Sequence, residues 1–115
     1  MQAKDRVRIK HMVDAAETAL TFVEIRERAD LETDMMLRFA VVRAIEIVGE
    51  AAANVSVEGR AEAPAVPWKQ IVGMRNRVVH RYIDVDNDIV WTTLNIELPA
   101  LLPLLPLLRA VLSNP

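Results

Sequence analysis

Ile9, Met12, Val13, Ala16, Leu20 and Val23 follow one another at three- and four-residue intervals, with Lys10, Asp14, Glu17 and Glu24 between them. That period gathers the apolar set on one face of an α-helix, predicted over roughly Asp5 to Arg28. The polar segment "RADLETD" comes next, and in it Asp30 or Thr33 can cap a second helix. The run "MMLRFAVVRAIEIVGEAAANV" is apolar around most of its circumference, interrupted only by Arg38, Arg43, Glu46 and Glu50. Such a helix needs cover on several sides, and a chain with few helices implies that a second copy supplies part of it.

Ser56 to Pro67, "SVEGRAEAPAVP", holds Gly and two prolines without apolar periodicity and is predicted to be the main loop. A third helix is expected from near Pro67, a residue favoured in a first helical turn, to about Tyr82. Asp84 or Asp86 then caps a fourth helix carrying Ile89, Val90, Trp91 and Leu94, which Pro99, Pro103 and Pro106 kink or shorten. The expected architecture is all-α: an antiparallel four- to five-helix bundle in one domain, residues 1–115.

Composition agrees with this pattern. A chain of 115 residues, 52% hydrophobic, has the size and apolar content of one domain with a core, and three glycines with few aromatics favour helices over a sheet. The absence of cysteine excludes disulfides and thiolate metal sites and fits a reducing, cytoplasmic setting. "MQAKDRVRIKHMVDAAE" carries charge throughout and has no apolar core of a secretory signal. Leu98 to Leu112 is greasy, but it holds three prolines and Arg109 and falls short of the roughly 20 residues a spanning helix needs, so no membrane association is expected.

The formal net charge is −2, yet Pro67 to Tyr82 contains Lys69, Arg75, Arg77 and Arg81 and no acid. That basic segment can meet phosphate. Within it, Arg75, His80 and Tyr82 form R-x-x-x-x-H-x-Y, a pattern able to cleave an RNA phosphodiester. Histidine titrates near neutrality, so His80 can take the proton of a ribose 2′-hydroxyl or give one to the leaving oxygen. Arginine stays charged and presents a planar fork of donors to the charge that builds on phosphorus. No metal or cofactor is called for.

Five residues of helix turn through about 140° beyond a full circle, so Arg75 and His80 of one chain point to different faces. A homodimer in which two such helices meet at a two-fold axis would bring the Arg and His of both chains to one cleft. Asn76, one turn before His80, is placed to hold its ring nitrogen. Lys69, Arg77 and Arg81 are expected to contact RNA phosphates. Other candidates have simpler readings: Asp84, Asp86 and Asp88 lack the glycine and glutamate of a calcium loop and suit a helix start, His11 has no second histidine near it, Trp68 and Trp91 suit core anchors, and the methionines suit core filling.

"EIVGEAAANVS", Glu46 to Ser56, followed by "VPWKQIVGMRNRVVHRYIDVDNDIVWTTLNIELPAL", resembles the HepT-like branch of the HEPN superfamily, helical toxins paired with a minimal nucleotidyltransferase antitoxin. The resemblance runs from about Asp5 to Leu108 and rests on Pro67-Trp68, Gly73 to Asn76, His80-x-Tyr82, Asp84 to Asp86 and Trp91. It implies a ribonuclease toxin with Arg75 and His80 at a dimer interface. It further implies that Tyr82 matches the tyrosine to which the antitoxin can attach AMP. Pro103 and Pro106 depart from the family pattern and affect the last helix. A competing reading is a non-catalytic helical dimer that binds a nucleotidyltransferase partner or nucleotide.

Overall fold

The computed structural model describes residues 1–79 and 86–113. Three long helices make the body: α1 (Ala3–Phe22), α3 (Met35–Asn54) and α5 (Trp68–Val79). Short helices α2 (Asp30–Thr33) and α4 (Val57–Ala61) sit in the connections, and α6 (Asn87–Thr92) opens a C-terminal arm. The arm continues through a π-helical turn (Thr93–Glu97) and a 3₁₀ stretch (Pro99–Leu104) into α7 (Leu105–Ser113). No strand occurs among the described residues, in agreement with the all-α expectation.

α3 is the central element, packed on one side by α1 and on another by α5. Ile9, Met12 and Val13 of α1, Val41, Ile45 and Val48 of α3, and Ile71, Met74 and Val78 of α5 are buried together, with Val90, Leu94 and Leu98 of the arm completing the core. The predicted stripe of the first helix is therefore the face that packs. Its last member, Val23, is buried, but Ile25 beyond it is 92% exposed, and α1 stops at Phe22, short of the predicted end at Arg28.

Buried polar groups fix how these helices run. The Asp5 carboxylate, 1% exposed, accepts from the Ser56 backbone N–H at 2.9 Å and from the Ser56 hydroxyl at 2.5 Å. The start of α1 is thus tied to the end of α3, so the two helices run antiparallel. Those two bonds, the hydroxyl first, hold the Asp5 carboxyl below its ordinary range against the opposing effect of burial. Ser56 in turn caps α4 by accepting from Gly59 N–H at 3.0 Å. Arg60 covers this same end of α3, donating to the carbonyls of Ala52 and Val55, and its guanidinium lies 5.9 Å from the centre of the Trp68 ring. α5 therefore begins beside the end of α3 and runs back along it.

Several local expectations change. The cap of α3 is Asp34, which accepts from Leu37 N–H, while Asp30 opens the separate α2. The predicted loop contains α4, because Ser56 supplies an N-cap and Arg60 a cover for α3. Met12 and Met74 fill the core as expected, but Met35 and Met36 are 66% and 83% exposed. Asp86 caps α6 by accepting from the N–H groups of Asp88 and Ile89, and Asp84 lies outside the described residues. The prolines do shorten the last helix as expected: from Pro99 the chain continues as a 3₁₀ stretch and then as α7. No described helix is long and apolar enough to cross a membrane.

Candidate active site

α5 carries the basic residues because its apolar ones fall on the opposite side. Trp68, Ile71, Met74 and Val78 are buried, leaving Lys69, Asn76 and Arg77 exposed. The helix is anchored at its start by Trp68, whose ring N–H donates to the Ala63 carbonyl at 3.1 Å. Arg75 lies at the border of the two faces, with its side chain 35% exposed.

The seat of Arg75 is built on Gly49. A Cβ placed on Gly49 would lie 2.0 Å from the Arg75 Cβ and 2.5 Å from its Cγ, so the arginine stem occupies the space that any other residue at position 49 would fill. The tip is then held from two directions. Its Nη1 donates to Asn76 Oδ1 at 3.1 Å, and its Nη2 lies 3.5 Å from Glu50 Oε1. The Nε is buried, with no hydrogen-bond partner among the described residues. A buried guanidinium N–H without an acceptor is costly. Glu50 also faces Arg43, at 3.9 Å, and Arg43 pairs with Glu46 at 3.1 Å.

Arg77 has a different surrounding. Its guanidinium pairs with Glu97, whose other oxygen accepts from the buried Thr93 hydroxyl at 3.1 Å. The π-helical turn, closed by the Leu98 N–H to Thr93 carbonyl bond of 2.8 Å, presents Glu97 to Arg77. Both arginines are thus partnered by carboxylates from other elements. The basic segment is less bare in space than along the chain, and its exposed unpartnered charge is reduced accordingly.

Of the residues singled out by sequence, the structure brings Arg75 and Asn76 together, places Arg77 on an ion pair with Glu97, and leaves Lys69 exposed on the first turn of α5. His80, Arg81 and Tyr82 lie outside the described residues. The expected bond from Asn76 to His80 falls there too. Sequence reasoning missed Gly49, Glu50 and Glu97 as parts of the site. For Gly49 a signal existed: a glycine in the interior of an otherwise Ala- and Val-rich helix marks a close approach. His11 is exposed and lines an open groove between α1 and α3. Among the described residues no group of three or more His, Asp or Glu side chains converges as metal ligands would.

The family model described as "Ribonuclease HepT-like" matches residues 12–107. A protein of Methanocaldococcus jannaschii named as a candidate RNase is 32% identical over 88 residues, 76% of this chain and 81% of its own length. Another, from Caldanaerobacter subterraneus and likewise named, is 37% identical over 93 residues, 81% of this chain and 83% of its own. "Probable ribonuclease HepT" of Thermococcus cleftensis is 36% identical over 72 residues, 63% of this chain and 66% of its own. No solved structure matches.

Proposed function

Because the chain belongs to the HepT-like ribonuclease family, we propose that it is a metal-independent endoribonuclease toxin whose site is completed by a second copy of the chain. The observation that carries this reading is the seat of Arg75, whose stem is locked on Gly49 while Glu50 and Asn76 fix its tip. An arginine held this way loses little freedom when it binds a phosphate, which is the preorganisation that electrostatic catalysis requires. In the reaction, the 2′-oxygen of a ribose attacks the adjacent phosphorus and the 5′-oxygen of the next nucleotide leaves. His80 moves a proton at one of these two oxygens, and Arg75 meets the charge that accumulates on the phosphoryl oxygens.

Lys69, Arg77 and Arg81 track the RNA backbone, Arg77 by exchanging Glu97 for phosphate. Control comes from a partner nucleotidyltransferase: the Tyr82 oxygen attacks the α-phosphorus of ATP, AMP is attached and pyrophosphate leaves. The added bulk and negative charge at the mouth of a cationic site exclude RNA. The test is cleavage of single-stranded RNA by the purified chain in the presence of a chelator. Cleavage by the parent and its loss in His80→Ala is the expected result; an inert parent, or a His80→Ala chain cutting at the parent rate, overturns the reading.

A further inference from the structure

α5 and the C-terminal arm enclose a small cavity of about 230 Å³ that Arg75 does not line. Arg77 forms one wall, Ile89, Thr92, Thr93 and Glu97 of the arm form the other, and Asp88 stands at the rim. Sites that enclose a whole drug-sized ligand run from roughly 300 to 1,000 Å³, so this smaller space suits one flat ring system. Asp88 is already committed: it pairs with Arg28, which also holds Glu32 at 2.9 Å. Glu97 is set differently. Its Oε2 lies 3.1 Å from the hydroxyl of Thr93, a residue only 1% exposed, and that hydroxyl also reaches the Ile89 carbonyl at 2.9 Å, so its single proton is shared between them. The other Glu97 oxygen accepts from Arg77. The π-helical turn that delivers Glu97 is a rare local form, frequent at functional sites.

Charge selects the occupant. Two carboxylates and one guanidinium line the cavity, a balance that repels a phosphate and favours a ligand presenting N–H donors. Arg77, half exposed, is the member free to leave, by turning to the RNA backbone. Glu97 then keeps its place beside Thr93, with its second oxygen in need of a donor to replace the guanidinium. Guanine is the base that supplies one. Its N1–H and N2–H stand side by side on the same N–C–N fragment that an arginine carries, so a carboxylate that receives Arg77 can receive the Watson–Crick edge of guanine in the same way. Adenine and cytosine set an acceptor beside the amino group, and uracil holds its one N–H between two carbonyls. We infer that this cavity is a guanine subsite, in which Glu97 selects a guanosine of the RNA while Arg77 holds a phosphate beside it.

The inference rests on the proposed ribonuclease reading and adds a sequence preference to it. Binding becomes a double exchange: phosphate takes Arg77 from Glu97, and guanine takes Glu97 from Arg77, so neither charged group is left bare. RNA without guanine completes only the first half and leaves the carboxylate unpaired, which is how a site built to hydrogen-bond one group rejects an analogue that lacks it. Arg77 precedes His80 by three residues in the sequence, so a guanosine held here is expected to set the cut at a constant offset from itself.

The test compares oligouridylates that carry one central guanosine, inosine or adenosine, with cleavage by the full chain and affinity by fluorescence anisotropy read in parallel. The guanosine oligomer should be cut with a kcat/KM about tenfold above that of the adenosine oligomer, the scale of one bidentate base contact, and at a fixed offset from the guanosine. Inosine keeps N1–H but lacks the N2 amine and should fall between them. Glu97→Gln releases Arg77, so affinity for the adenosine oligomer should rise while the preference for guanosine vanishes. Equal kcat/KM on all three oligomers, or a guanosine preference that survives in Glu97→Gln, overturns the subsite and leaves the ribonuclease reading standing. A guanosine preference in affinity with no cleavage keeps the subsite and removes the ribonuclease reading. A chain that neither binds nor cuts any of them overturns both.

Discussion

Gly49→Ala adds one methyl group where the Arg75 stem already lies. The new Cβ would stand 2.0 Å from Arg75 Cβ, 2.5 Å from Cγ and 3.3 Å from Cδ. Restoring an ordinary carbon contact of 3.4 Å from 2.0 Å demands a separation of about 1.4 Å, shared between a shift of α5 and a new path for the arginine. Two effects oppose each other in stability. Alanine in place of a helix-interior glycine favours the folded state by about 1 kcal/mol, while forcing a methyl into a packed contact costs about 1–3 kcal/mol. The net loss is therefore small, from about zero to 2 kcal/mol. Activity has no such offset. A misplacement on the order of 1 Å of a transition-state group costs about 10²-fold in rate. Gly49→Ala should remain helical, with a modest fall in urea midpoint, yet cleave RNA about a hundred times more slowly with KM little changed. Gly73→Ala is the matched control: its Cβ would meet only Arg77 Nη1 at 3.6 Å, so it should be neutral or stabilising by up to about 1 kcal/mol. A Gly49→Ala chain with parent stability and parent cleavage would refute the idea that this close contact seats a catalytic arginine.

Arg75→Ala should lose about 10²-fold or more in cleavage with the helical signal retained. Arg77→Ala should act through substrate affinity, lowering the slope of log K against log salt by about 0.7, whereas Glu97→Gln, which frees Arg77, should tighten RNA binding. Tyr82→Phe should cleave as the parent does and resist silencing by a partner nucleotidyltransferase with ATP; mass spectrometry showing AMP on a different residue would refute that role. Asp5→Asn should lower stability by about 2 kcal/mol at neutral pH through loss of a charged acceptor for Ser56. Because the folded carboxyl titrates below its unfolded value, its contribution is fully present above about pH 4–5 and is lost as pH falls through the folded value. The gap between parent and Asp5→Asn in urea titrations should accordingly shrink in acid, and a gap that widens there would contradict the assignment.

Helix identity was legible wherever the apolar period was long. The stripe from Ile9 to Val23 packs as its spacing predicts, and the unusual greasiness of the helix from Met35 to Asn54 reflects a central position with a remaining exposed face. What period cannot reveal is a reciprocal contact between distant residues. Asp5 is a charged residue near the chain start, and only the position of Ser56 makes its burial favourable. The pairing of Arg77 with Glu97 depends on a π-helical turn that no local pattern announces. Arg75 was identifiable from its spacing to His80 and from family resemblance. Its supports, Gly49 and Glu50, were in the resembling stretch but had no stated reason to be there until α5 was seen to cross α3 at that glycine.

The proposed site is one cleft in which Arg75 of one chain acts with His80 of the other across a two-fold axis, and mixed dimers test it most directly. Arg75→Ala and His80→Ala chains, each inactive alone, are unfolded together, refolded and assayed on RNA. In half of the dimers one of the two cross-chain Arg75–His80 pairs of the cleft is then intact, so activity should recover to roughly a quarter of the parent value, on the expectation of random pairing about a two-fold axis. A mixture that cleaves no faster than either variant alone, in dimers shown by mass to have exchanged, would contradict the account.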